Sequence, residues 1–161
     1  YPLLISDIGK AYLYGSNNYL KNGNLFTELA QEYSNFDSAF YFWFYAGRFY
    51  NKAGNYFNSS KNCFTKAMAC ANTENQKDDA LWYLLEISRN FSVDTLIANI
   101  GEYSRQWTKA SNFESFFEGL ITPLLASGKW EAFYNIYEQH PPHLWSGNDI
   151  YLLSAGNTYQ H

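Results

Sequence analysis

Apolar residues recur every three or four positions along almost the whole chain, the period of a helix with one buried face. The pattern predicts helices near 3–14, 24–34, 37–53, 56–71, 76–89, 93–107, 112–126, 129–138 and 148–160. Polar stretches such as "NTENQKDD" and "SGK" separate them, and "SVD" and "SN" supply capping residues. Gly23, Gly54 and Gly128 are expected in turns, where a left-handed backbone is cheapest for glycine. The segment "QHPPHLWSG" is expected to be a loop, because its prolines cannot continue a helix.

The densest apolar stretch is "FYFWFYAGRFY", residues 40–50, with Arg48 as its single charge. It is too short to span a bilayer. A strand does not fit it either, because its small pair Ala46-Gly47 and the aromatic residues around it share one face at helical spacing. An all-round apolar helix is one covered on nearly every side. On that helix Trp43, Ala46, Gly47 and Tyr50 form a packing stripe, with the small pair admitting a second helix at close range. A second stripe of Tyr41, Phe44, Arg48, Asn51 and Lys52 lies about 180° away.

The packing stripe repeats. Ile5, Ile8-Gly9 and Tyr12 match Trp43, Ala46-Gly47 and Tyr50, and so do Leu152, Ala155-Gly156 and Tyr159. Trp82 with Leu85, and Phe117 with Leu120, fill the slots less faithfully. The starts at 5, 43, 82, 117 and 152 are separated by 38, 39, 35 and 35 residues, the signature of a helical solenoid. Ser60, Phe64 and Ala67 complete the second helix of the best repeat. The expected fold is all-α, a right-handed solenoid of about four helical hairpins plus a final unpaired helix, forming one domain over 1–161. The abrupt start and the unpaired last helix suggest a fragment of a longer protein, and His161 has the look of a tag remnant.

Trp43, Ala46-Gly47, Tyr50, Gly54, Ser60, Phe64 and Ala67 resemble the tetratricopeptide pattern, strongly over 40–68 and weakly elsewhere. Glu86 and Ile121 stand where that pattern has glycine, and Arg89 and Leu124 where it has tyrosine. This mixture of good and degenerate repeats is similar to the α-superhelix that precedes the catalytic domain in soluble lytic murein transglycosylases. The resemblance implies a non-catalytic scaffold or binding region of a bacterial cell-envelope enzyme that cuts peptidoglycan, and a periplasmic location, with the cytoplasm left open. The alternative is a free-standing tetratricopeptide-type module that docks a peptide in its concave groove. That family's Glu-Ser motif is echoed by Glu114-Ser115, but Gly119-Leu120 follows too soon and no Met-Gln comes after it.

Composition narrows the field further. With 161 residues the chain is long enough to bury a core, and 47% apolar content excludes a disordered tail. A net charge of −4, with 11 unclustered Lys and Arg, argues against a nucleic-acid partner. Cys63 and Cys70 lie seven apart in a predicted helix, on one face but too far apart for a disulfide.

No catalytic, cofactor or metal site stands out. Glu28/Glu32 and Glu114/Glu118 have the spacing of solvated helix faces, and His140 and His143 lack further ligands. The candidate site is therefore the second stripe: Tyr41 and Phe44 as apolar platforms with Tyr83, in the matching slot of the next repeat, Arg48 and Lys52 as cations, and Asn51 as a hydrogen-bonding group. Rings beside cations and an amide suit a protein or peptide with an acidic group, or a glycan strand.

Overall fold

Side-chain caps start three of the described helices. The computed structural model describes residues 2–88 and 90–103, and with them positions 106, 128 and 131. The helices are α1 (Pro2–Gly15), α2 (Tyr19–Glu32), α3 (Ala39–Ala53), α4 (Phe57–Ala69), α5 (Glu74–Ser88) and α6 (Val93–Tyr103). Among the described residues every regular element is helical, as the apolar period predicts. The predicted helices at 112–126, 129–138 and 148–160, the repeat starts at 117 and 152, Glu114-Ser115 and the loop histidines lie outside the described residues.

Asn18 caps α2, its Oδ1 accepting from the Lys21 backbone N–H at 3.2 Å. This starts α2 well before the predicted residue 24. Thr73 Oγ1 caps α5 by accepting from the Gln76 N–H, while Gln76 Oε1 reaches back to the Asn72 N–H. The polar stretch taken for a turn is therefore largely the first turns of α5. Ser92 caps α6 as expected, accepting from the Thr95 N–H at 3.0 Å. Gly54, with φ of 67°, and Asn55, with φ of 57°, end α3 and turn the chain into α4. Gly128 also has a positive φ, as its predicted turn requires.

The chain divides into two compact units, Tyr1–Ile87 and Ser88–His161. In the second, the Asn99 amide donates to Ser88 Oγ at 2.6 Å and Leu96 is buried. In the first, α3 is the hub and packs against α1, α2 and α4. Ten of its residues are buried, including Phe40, Trp43, Tyr45, Phe49 and Tyr50.

Three glycines let the neighbouring helices come close. A Cβ on Gly47 would lie 2.9 Å from the Phe64 ring, so α4 lays that ring directly on the α3 backbone. Ser60 Oγ donates to the Gly47 carbonyl at 2.7 Å and secures the same contact. This agrees with the approach expected at Ala46-Gly47. Gly23 is a correction: it sits inside α2, not in a turn, and what demands glycine there is the Tyr50 ring, 3.0 Å from where a Cβ would be. The Tyr50 hydroxyl then donates to Asn24 Oδ1 at 2.8 Å. Gly9 of α1 receives the Tyr45 ring of α3 even more closely.

Rings fill the remaining space. Phe26 of α2 meets Phe49 edge-on at 5.0 Å, and Phe64 of α4 stacks on Tyr83 of α5 at 5.0 Å. Lys66 Nζ lies 4.3 Å over the Trp43 ring, closing the α3–α4 seam. Both cysteines are free, as expected; Cys63 is buried in α4, but Cys70 lies just past the helix end and caps it, correcting the prediction of one helix through both.

Gly47→Ala should destabilise by about 1–3 kcal/mol, and Gly9→Ala by at least as much, because buried rings must move. Gly15→Ala, with nothing within 4 Å of the new methyl, should be neutral or stabilise by up to about 1 kcal/mol. Thermal melting of the three variants checks the contrast.

Burial pushes the Cys63 thiol up to about 11, although a hydrogen bond to Thr27 and the Lys66 charge act the other way. Because the folded state holds this proton more tightly than the unfolded chain, its contribution is fully present below about pH 8.5 and is lost as pH rises toward 11. Urea midpoints should fall over that window in the parent, and less steeply in Cys63→Ala.

Candidate functional site

Helical geometry puts Tyr41, Tyr45 and Arg48 on the side of α3 away from its α4 seam, with Phe44 at the edge between the two. There α1 and α5 flank the helix and leave a recess of about 340 Å³. Ser6 and Lys10 line it from α1, Tyr41 and Arg48 from α3, and Asp79 and Tyr83 from α5. Phe40, Phe44 and Tyr45 make the floor.

The floor is built from rings that hold one another. Phe40 and Phe44 stack at 5.4 Å, and Phe44 meets Phe64 at 5.7 Å and Tyr83 at 5.3 Å, both edge-on. Over this surface lies the Arg48 guanidinium, 6.0 Å from the Phe44 centroid, 5.7 Å from Tyr45 and 5.2 Å from Tyr83. Each such contact contributes about 0.5–2 kcal/mol, more as water is excluded. Burial raises the Tyr83 hydroxyl above its usual range while the Arg48 charge opposes the shift, so Tyr83 stays a neutral donor at physiological pH. Ser6 Oγ and the Tyr45 hydroxyl lie 3.3 Å apart, within hydrogen-bond distance. Lys10 stands on the α1 rim in a long, exposed ion pair with Asp7, 3.8 Å, worth at most about 1 kcal/mol and easily exchanged.

Of the six residues expected at the site, Tyr41, Phe44, Arg48 and Tyr83 come together in the recess. Phe44 is buried at 8% exposure and serves mainly as floor. Lys52 does not join them: its Nζ sits over the Tyr14 and Tyr19 rings, at 5.3 and 5.6 Å, because α3 is long enough to carry it a further turn along. Asn51 is half-buried and is likewise not among the lining residues.

Ser6, Lys10 and Asp79 are lining residues that the expected site did not include. The spacing of the predicted repeats contains a signal. Shifted by the 38-residue spacing, Phe44 and Arg48 correspond to Ser6 and Lys10; shifted by 39, Phe40 and Phe44 correspond to Asp79 and Tyr83. Residues at these offsets on α1, α3 and α5 thus line one recess.

Among the described residues no group of His, Cys, Asp or Glu is placed to hold a metal, and no helix is long and apolar enough to cross a membrane. Compared with family models, curated proteins and solved structures, the chain matches none.

Phe44→Ala should destabilise by about 3–5 kcal/mol, since it removes the ring at the centre of the floor. Tyr41→Ala, at a half-buried wall position, should cost under about 1.5 kcal/mol. Chemical denaturation of both variants separates floor from wall.

Proposed function

We propose that this chain is a non-catalytic helical-repeat binding module, stacked as a right-handed tetratricopeptide-like solenoid, that takes its partner in the recess floored by α3. Two findings support the stacking: the lining of one recess by residues at these offsets on α1, α3 and α5, and the packing of α3 on α1, α2 and α4. The observation that carries the binding reading is Arg48. A cation on an otherwise buried helix is costly to place, and here it is kept half-exposed on a bed of rings at the base of a concave surface. Packing alone would be served as well by an apolar side chain.

The setting of such a module rests on the resemblance to lytic transglycosylases: a scaffold within a larger periplasmic protein, whose partner is a peptide or a peptidoglycan strand. A free-standing peptide-docking module uses the same recess.

Arg48→Ala removes cation–π contacts and should cost about 1–2 kcal/mol of stability, leaving the protein folded. The same change should weaken binding of an anionic partner about tenfold or more, the scale of a charge-assisted hydrogen bond. Titration calorimetry with peptidoglycan fragments and with acidic peptides, alongside melting curves, tests this. An unfolded Arg48→Ala protein, or unchanged affinity, overturns the assignment.

A further inference from the structure

We infer that the recess holds a small aromatic carboxylate, its ring against Tyr41 and Tyr83 and its carboxylate between Arg48 and Lys10. This inference rests on the recess being a binding site, as proposed above.

Size is the first argument. At about 340 Å³ the recess is at the small end of the range of roughly 300–1,000 Å³ typical of ligand sites. It accommodates one ring with a short polar arm and not a run of sugars. Charge is the second. Among the lining residues Arg48, over the floor, and Lys10, on α1, outnumber the carboxylate of Asp79, so a single anionic group is favoured once Lys10 is drawn from Asp7. The ring contacts of Arg48 engage its flat charge distribution and consume none of its five N–H donors, which suit the two oxygens of a carboxylate. Lys10 needs only to leave a weak exposed pair with Asp7 to join them.

The walls are the third argument. Tyr41 and Tyr83 are both half-buried and line the recess, and contacts with Phe40 and Phe64 hold their rings in place. A flat aromatic guest gains offset or edge contacts with them that an aliphatic acid of equal charge does not. The Tyr83 hydroxyl, kept protonated by burial, adds a neutral donor and no second negative charge beside the carboxylate. The shared chemistry is a ring bearing a nearby carboxylate, found in a free aromatic amino acid and in the C-terminal aromatic residue of a peptide.

The probes are L-phenylalanine, phenylacetate, phenylalanine amide, the peptide Gly-Gly-Phe, acetate and muramyl peptide fragments, followed by NMR shift perturbation and calorimetry on the whole chain. Phenylalanine and phenylacetate should shift the Tyr41, Tyr83 and Arg48 signals, whereas the amide and acetate should bind at least tenfold more weakly. Arg48→Ala and Lys10→Ala should each weaken phenylacetate about tenfold, while Lys52→Ala, outside the recess, leaves it unchanged. Tighter binding of Gly-Gly-Phe than of phenylalanine assigns the source to a peptide end; the reverse assigns it to the free acid. Equal binding of acid and amide overturns the inference. So does binding of muramyl fragments alone, although the recess then remains a binding site. If no probe of any class perturbs the recess, the binding reading falls as well.

Discussion

The contact on which this fold depends is an aromatic ring laid on a glycine. It occurs at three helix crossings, with Tyr45 on Gly9, Tyr50 on Gly23 and Phe64 on Gly47. A large flat side chain gains most when its whole face is covered, and a backbone without Cβ offers a flat surface to cover it. The arrangement brings helix axes closer than two ordinary side chains allow. It also explains how α3 bears rings on all sides without exposing them: two of the rings are its own, reaching out to α1 and α2, and one reaches in from α4.

The recess follows from the same arrangement. Tyr45, drawn toward Gly9, and Tyr83, stacked on Phe64, leave Phe44 between them as a floor. Arg48 is the one charge on α3's buried stretch, and it is tolerated because its neighbours present negative ring faces. The packing that stabilises the helix and the electrostatics that hold the cation are thus supplied by the same side chains. A residue such as Phe44 cannot be assigned to one role alone.

What was legible in the sequence follows the same division. The helical period and the small pair at Ala46-Gly47 sufficed to place α3 and its seam with α4, because both depend on spacing within a short segment. That the residues at 41, 44, 48 and 83 would lie near one another was legible from helical spacing and from the predicted repeat offset. Gly23 was not, since a glycine in a turn and a glycine beneath a ring look alike until the ring's helix is in place. Lys52 was grouped with Arg48 by helical angle, but its position along the axis carries it to Tyr14 and Tyr19. Lys10 and Asp79 come from flanking helices, beyond the reach of residue spacing within α3.

The placement of α3 in the middle of a run of adjacent helices bears on how the chain reaches its native state. Its principal packing partners are α2 and α4, its immediate neighbours in sequence, and α1 is only one helix further away. Closing such short loops loses little chain entropy, and topologies dominated by near-neighbour contacts fold fast. The α3 segment, dense in aromatic rings, is therefore shielded by partners synthesised just before and just after it. The eight aromatic rings of residues 40–50 therefore spend little time exposed during folding, when exposed apolar surface would favour association between chains.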